Sequence, residues 1–125
     1  MSIVPIALFF LATALVGCGG PASEVVDARA LMAPGQDCTA CHGFLVAGTI
    51  FTDAGQGADG LGVAIGGAAL TTNAAGNFYT RARVDFPATA EVRSGDTVRR
   101  MPRPAPSGAC NACHGVGTTP RISGP

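Results

Sequence analysis

The sequence predicts a mainly β protein: a small antiparallel β-sandwich flanked by two cysteine-rich loops. Three observations carry that expectation. Between the two C-x-x-C pairs no 3.6-residue apolar stripe persists, whereas short runs rich in β-branched residues recur. Glycine, 18 of 125 residues, falls between those runs, where turns belong. Residues 78–85 alternate, with Phe78, Thr80, Ala82 and Val84 on one face and Tyr79, Arg81, Arg83 and Asp85 on the other.

Taken in order, residues 43–51 read as a strand leaving the first cysteine loop, and 52–60 as a loop by composition. A second strand spans 61–65, broken by Gly66-Gly67, and a weaker third spans 68–72. Residues 73–77 form a turn in which Gly76 supplies a positive φ. The alternating strand 78–85 follows, ended by Pro87. Two shorter strands, 89–93 and 97–101, flank the turn Ser94-Gly95-Asp96, and 102–108 is an extended, proline-rich linker. The stretch from Gly48 to Tyr79, with Thr71-Thr72 a few residues before Gly76-Asn77-Phe78, is similar to carboxypeptidase-regulatory-like β-sandwich modules, which implies the same sandwich.

Composition excludes several function classes. The chain carries eight Arg, no Lys and eight acidic residues, a formal net charge of zero, with only 13% charged residues. Nucleic-acid binding asks for a strongly basic face, so no nucleic-acid partner is expected. Two His and few acidic groups leave little for elaborate acid–base catalysis.

Residues 3–16 are uncharged and mostly apolar, shorter than the ~20 residues of a membrane span. They end in Gly17-Cys18-Gly19-Gly20 and read as an export signal. Leu15-Val16-Gly17-Cys18 resembles the bacterial lipobox, although Met1-Ser2 ahead of the run lacks a basic residue. The resemblance implies cleavage before Cys18, acylation of that cysteine and a lipid anchor in the bacterial cell envelope. Gly19 leans towards the outer membrane, on its periplasmic or surface side. The expected organisation is signal 1–17, tether 18–37, folded domain 38–115 and C-terminal tail 116–125.

The remaining four cysteines form two copies of one signature, Cys38-Thr39-Ala40-Cys41-His42 and Cys110-Asn111-Ala112-Cys113-His114, each followed by Gly. C-x-x-C-H is the attachment signature of c-type haem. Two thiols three residues apart on a tight turn reach the two vinyl groups on one porphyrin edge, and the adjacent His offers its imidazole to the iron. Both His of the chain occupy that position. The chain therefore resembles a small dihaem c-type cytochrome lipoprotein. The resemblance implies two covalently bound haem c groups, with Cys38, Cys41, Cys110 and Cys113 as thioether anchors and His42 and His114 as proximal ligands. Four cysteines holding one zinc is the competing reading, but it leaves both His unexplained. A thioredoxin-like centre lacks its βαβ frame.

No spare His or Lys exists for the sixth coordination position, so Met101 and Met32 are the candidate distal ligands, with Tyr79 weaker. Arg81, Arg83, Arg93, Arg99, Arg100 and Arg103 cluster late and suit haem propionates or a solvated sheet face. Asp53 and Asp59 match no calcium-loop rule. The expected function is one-electron transfer between redox protein partners, rather than catalysis. A small peroxidase- or reductase-like haem enzyme with an open iron and a structural zinc lipoprotein are the alternatives.

Overall fold

The computed structural model describes residues 33–115 and 119–125. The expected signal segment, Cys18 and Met32 lie outside the described residues. In chain order the elements are α1 (Cys38–Cys41), β1 (Val46–Thr49), β2 (Gly62–Ile65), β3 (Ala68–Thr71), β4 (Asn77–Thr80), β5 (Ala90–Ser94), β6 (Thr97–Arg100) and α2 (Cys110–Cys113). Each helix is a single turn.

The fold is mainly β, with two antiparallel sheets. One pairs β1 with β4, and the other has the order β3-β2-β5-β6. Their inner faces share a core. Val46 and Phe78 come from the first sheet and Val63, Ile65 and Val92 from the second, with Ile50 and Ala58, Ala88 and Ala105 between. In β2 the buried positions alternate, Val63 and Ile65 pointing inward, as a half-buried strand requires. Gly76 takes the expected positive φ, 77°, and its N–H donates to the Asn73 carbonyl (2.7 Å).

The long alternating strand expected at 78–85 ends at Thr80. Its partner β1 begins at Val46, opposite Thr80, and the last ladder bond runs from Leu45 N to Thr80 O (2.9 Å). Upstream of Leu45 the chain belongs to the first C-x-x-C-H loop, so residues 81–85 have no strand to pair with. The Thr80 hydroxyl accepts the Ala82 N–H (3.0 Å) and turns the chain away. The expected strand 43–51 shortens to 46–49; beyond Thr49, Ile50 N bonds the Gly76 carbonyl in the turn before β4 (2.8 Å) and Phe51 forms only isolated bridges. The proline-rich stretch is packed: Ala105 is buried and exchanges two hydrogen bonds with Ala88 (2.9 and 2.7 Å).

The outer edge of β1 positions the second motif. Ala47 N donates to Gly108 O (2.9 Å), and Ala47 bridges Ala109 in parallel. Further along, Phe51 N donates to Ile122 O (2.8 Å) and Gly124 N to Phe51 O (3.1 Å). The chain thus docks on the edge at 108–109, departs to form α2, and returns at 122–124, within the stretch expected as a tail. Covering an exposed strand edge also removes a pairing hazard. The approach is close enough to require glycine. A β-carbon at Gly108 would lie 1.9 Å from the Leu45 carbonyl oxygen, and one at Gly48 would lie 2.8 Å from the Cys110 β-carbon.

Candidate functional site

The second motif opens onto a half-open cleft of about 290 Å³. Cys110, Cys113 and His114 line it together, and so does Met101, whose N–H is held by the Ala90 carbonyl (2.9 Å). Much of the remaining wall is apolar core: Ile50, Val63, Ile65 and Phe78. Arg99, Arg100 and Arg121, all exposed, complete the lining with the returning segment Pro120–Ser123.

The motif is locally rigid. His114 N closes the helical turn onto Cys110 O (2.9 Å), and Ala112 N bonds Ala109 O (3.1 Å). His114 Nδ1 lies 2.9 Å from the Pro120 carbonyl oxygen. A carbonyl only accepts, so Nδ1 donates, and in the neutral ring Nε2 keeps its lone pair for a metal. Burial pushes the Cys110 thiol up to about 11, with smaller contributions from the charges of Cys113 and Asp37. At neutral pH Cys110 is a thiol and not the low-pKa thiolate of a redox dithiol.

The first motif has different surroundings. Asp37 caps α1, accepting from Thr39 N (3.1 Å) and Thr39 Oγ1 (2.6 Å). Cys38 is buried, and burial, followed by the Asp37 charge, raises its thiol. His42 faces Phe44 (5.3 Å), Phe44 stacks on Tyr79 (4.5 Å), and the Arg81 guanidinium lies 4.9 Å from the Phe44 ring centre. This motif does not line the cleft of the second.

Of the candidate ligands, Met101 shares the cleft with His114, whereas Tyr79 lies on the outer face of β4 against Phe44. The arginines divide. Arg93 and Arg100 both pair with Glu91, the latter at 2.9 Å, and hold its carboxyl below the usual range. Arg99 donates to Ser123 Oγ (2.5 Å). Arg81 serves the aromatic stack. Among the described residues no three His, Cys, Asp or Glu side chains converge on a point where they could hold a metal, so a four-cysteine zinc centre is not assembled. Haem needs no such cluster, because the porphyrin supplies four of the iron's ligands.

Two groups escape a reading of the sequence. Pro120, Arg121 and Ile122 lie in a short stretch with no periodicity, yet they form cleft wall. Asn111 occupies a variable position of the motif, yet it is 5% exposed and fully engaged. Its only signal is an amide where the spacing rule asks for nothing. No family model, no curated protein and no solved structure matches the chain.

Proposed function

We propose that this protein is a membrane-anchored dihaem c-type cytochrome that carries single electrons between redox protein partners, tethered through acylated Cys18. The observation that carries the reading is the cleft. Its wall brings together both thiols of a C-x-x-C-H turn, an imidazole whose Nδ1 is engaged by a carbonyl, and a thioether.

These residues fit a haem chemically. Cys110 and Cys113 would add their S–H groups across the two vinyl double bonds, a step in which no atom leaves. His114 and Met101 would offer the iron a nitrogen and a sulfur ligand, the Pro120 carbonyl holding the imidazole in one tautomer. Arg121, and Arg99 beside it, would offer guanidinium donors to the propionates, while Arg100 is already engaged with Glu91. Ile50, Ile65 and Phe78 would keep water from a bound haem, which would disfavour the more highly charged ferric form. Bound haem supplies the ferric–ferrous couple, and the residues set its potential. Cys38, Cys41 and His42 would hold a second haem beside the Phe44–Tyr79 stack. The acidic group in the cleft wall, Glu91, is tied to two arginines, which favours electron carriage over acid–base catalysis.

Acid–acetone extraction of the purified protein tests the reading. Colour that stays with the polypeptide, and a mass increment of two haems per chain, are expected. A colourless chain of unmodified mass would contradict it.

A further inference from the structure

We infer that Asn111 is a positioning residue that locks the two attachment motifs to one another, an inference that rests on the dihaem reading for its functional consequence. Asn111 is the first variable residue of the second motif. The attachment chemistry asks only for the two thiols and the imidazole, and leaves this position free. Yet its side chain is buried and makes three hydrogen bonds. Nδ2 donates to the Gln36 carbonyl (2.8 Å) and to Thr49 Oγ1 (2.9 Å), and Oδ1 accepts the Thr49 N–H (3.0 Å). Gln36 immediately precedes the residue that caps α1 of the first motif.

Thr49 completes the lock. Its hydroxyl also accepts the Gly35 N–H (2.9 Å) and donates to Asn77 Oδ1 (2.7 Å). One donor and two acceptors exhaust a hydroxyl, so Thr49 has no second arrangement with equal bonding. Four segments meet here: the lead-in to the first motif, the end of β1, the start of β4 and the second motif itself. Among the described residues, the equivalent residue of the first motif, Thr39, bonds through its N–H and hydroxyl to neighbouring Asp37 alone. The asymmetry argues against a generic requirement of the turn and for a specific job, holding the first motif at a set distance from the second. Electron exchange between two bound centres depends steeply on that distance.

Asn111→Asp separates the roles. An aspartate still accepts the Thr49 N–H, so the second motif stays docked on β1, but it cannot donate to Gln36 or to Thr49 Oγ1. In the full-length holoprotein, amide exchange across residues 35–42 should accelerate at least about tenfold, the scale of the one lost bond that reaches this segment directly, Nδ2 to Gln36 O, while the β2 and β5 amides stay as in the wild type. Haem stoichiometry should stay at two, and the magnetic interaction between the two ferric irons should change. Thr49→Val, which removes the hydroxyl alone, should loosen the same residues and serves if Asn111→Asp does not fold; Thr49→Ser should restore wild-type exchange. Unchanged exchange at 35–42 together with an unchanged inter-haem signal would overturn the proposal. Absence of haem in the wild type would instead refute the dihaem reading, and the exchange measurement would still decide whether Asn111 links the motifs.

Discussion

At the scale of single residues, Met101 and His114 share the cleft wall, and the dihaem proposal assigns both to the iron. Elimination in the sequence reaches Met101 and Met32, because the chain has no Lys and both His lie in motifs. What spacing could not say is that β6 and the chain after it deliver Met101 to the cleft of the second motif. A thioether favours ferrous iron. Met101→Ala should therefore lower the midpoint potential of one haem by ~0.1 V, a modest part of the roughly 0.8 V that axial ligands span. The other haem should keep its potential, and a redox titration identical to wild type would remove Met101 as a ligand. The His114–Pro120 contact was not legible, because it joins an imidazole to a carbonyl across a loop whose composition marks no structure. Asn111 was equally hidden, since only its neighbours in space reveal why an amide stands there.

At the scale of elements, the strands were legible where two conditions coincided, an apolar pattern and an available partner. β2, β3, β5 and β6 satisfy both and fall within a residue of their expected limits. Residues 81–85 carry the pattern but lack the partner, since β1 gives way to the first motif. The parallel docking of residues 108–109 and 122–124 on β1 left little trace, because two short contacts separated by an excursion have no period. Gly108→Ala tests that docking. The added methyl meets a backbone oxygen that cannot move aside, so the cost should be at least ~1–3 kcal/mol, typical of overpacking. Thermal denaturation should show the loss, with haem content falling at the second motif first. The β5–β6 hairpin makes a separate prediction. Arg93 and Arg100 depress the Glu91 carboxyl below the 4.5 of an unperturbed glutamate. A depressed folded pKa contributes stability that is present above pH 4.5 and lost as pH falls through the folded value. Glu91→Gln should therefore lower stability at pH 7 by the small amount that an exposed, screened ion pair contributes, and its difference from wild type should vanish as pH falls through the folded value, which flattens the acid limb; identical pH profiles would contradict this.

For the molecule as a whole, the core is thin. Its buried apolar members are mostly Val, Ile and Ala, with Phe51 and Phe78 the buried aromatics among the described residues. Several of them, Ile50, Val63, Ile65 and Phe78, also form the wall of the cleft. A small domain buries a modest share of its surface, so a covalently held porphyrin would complete this core as well as serve the chemistry. Replacing Cys38, Cys41, Cys110 and Cys113 by Ala should leave both ends of the domain poorly protected in hydrogen exchange; protection equal to the holoprotein would refute this. The central claim is tested most directly by counting covalent haem, with the reduced pyridine haemochrome spectrum of protein denatured after acid–acetone extraction. The account predicts two haems per chain in the wild type and one when Cys110 and Cys113 are both replaced by Ala. A wild-type chain with no haemochrome absorbance would contradict it.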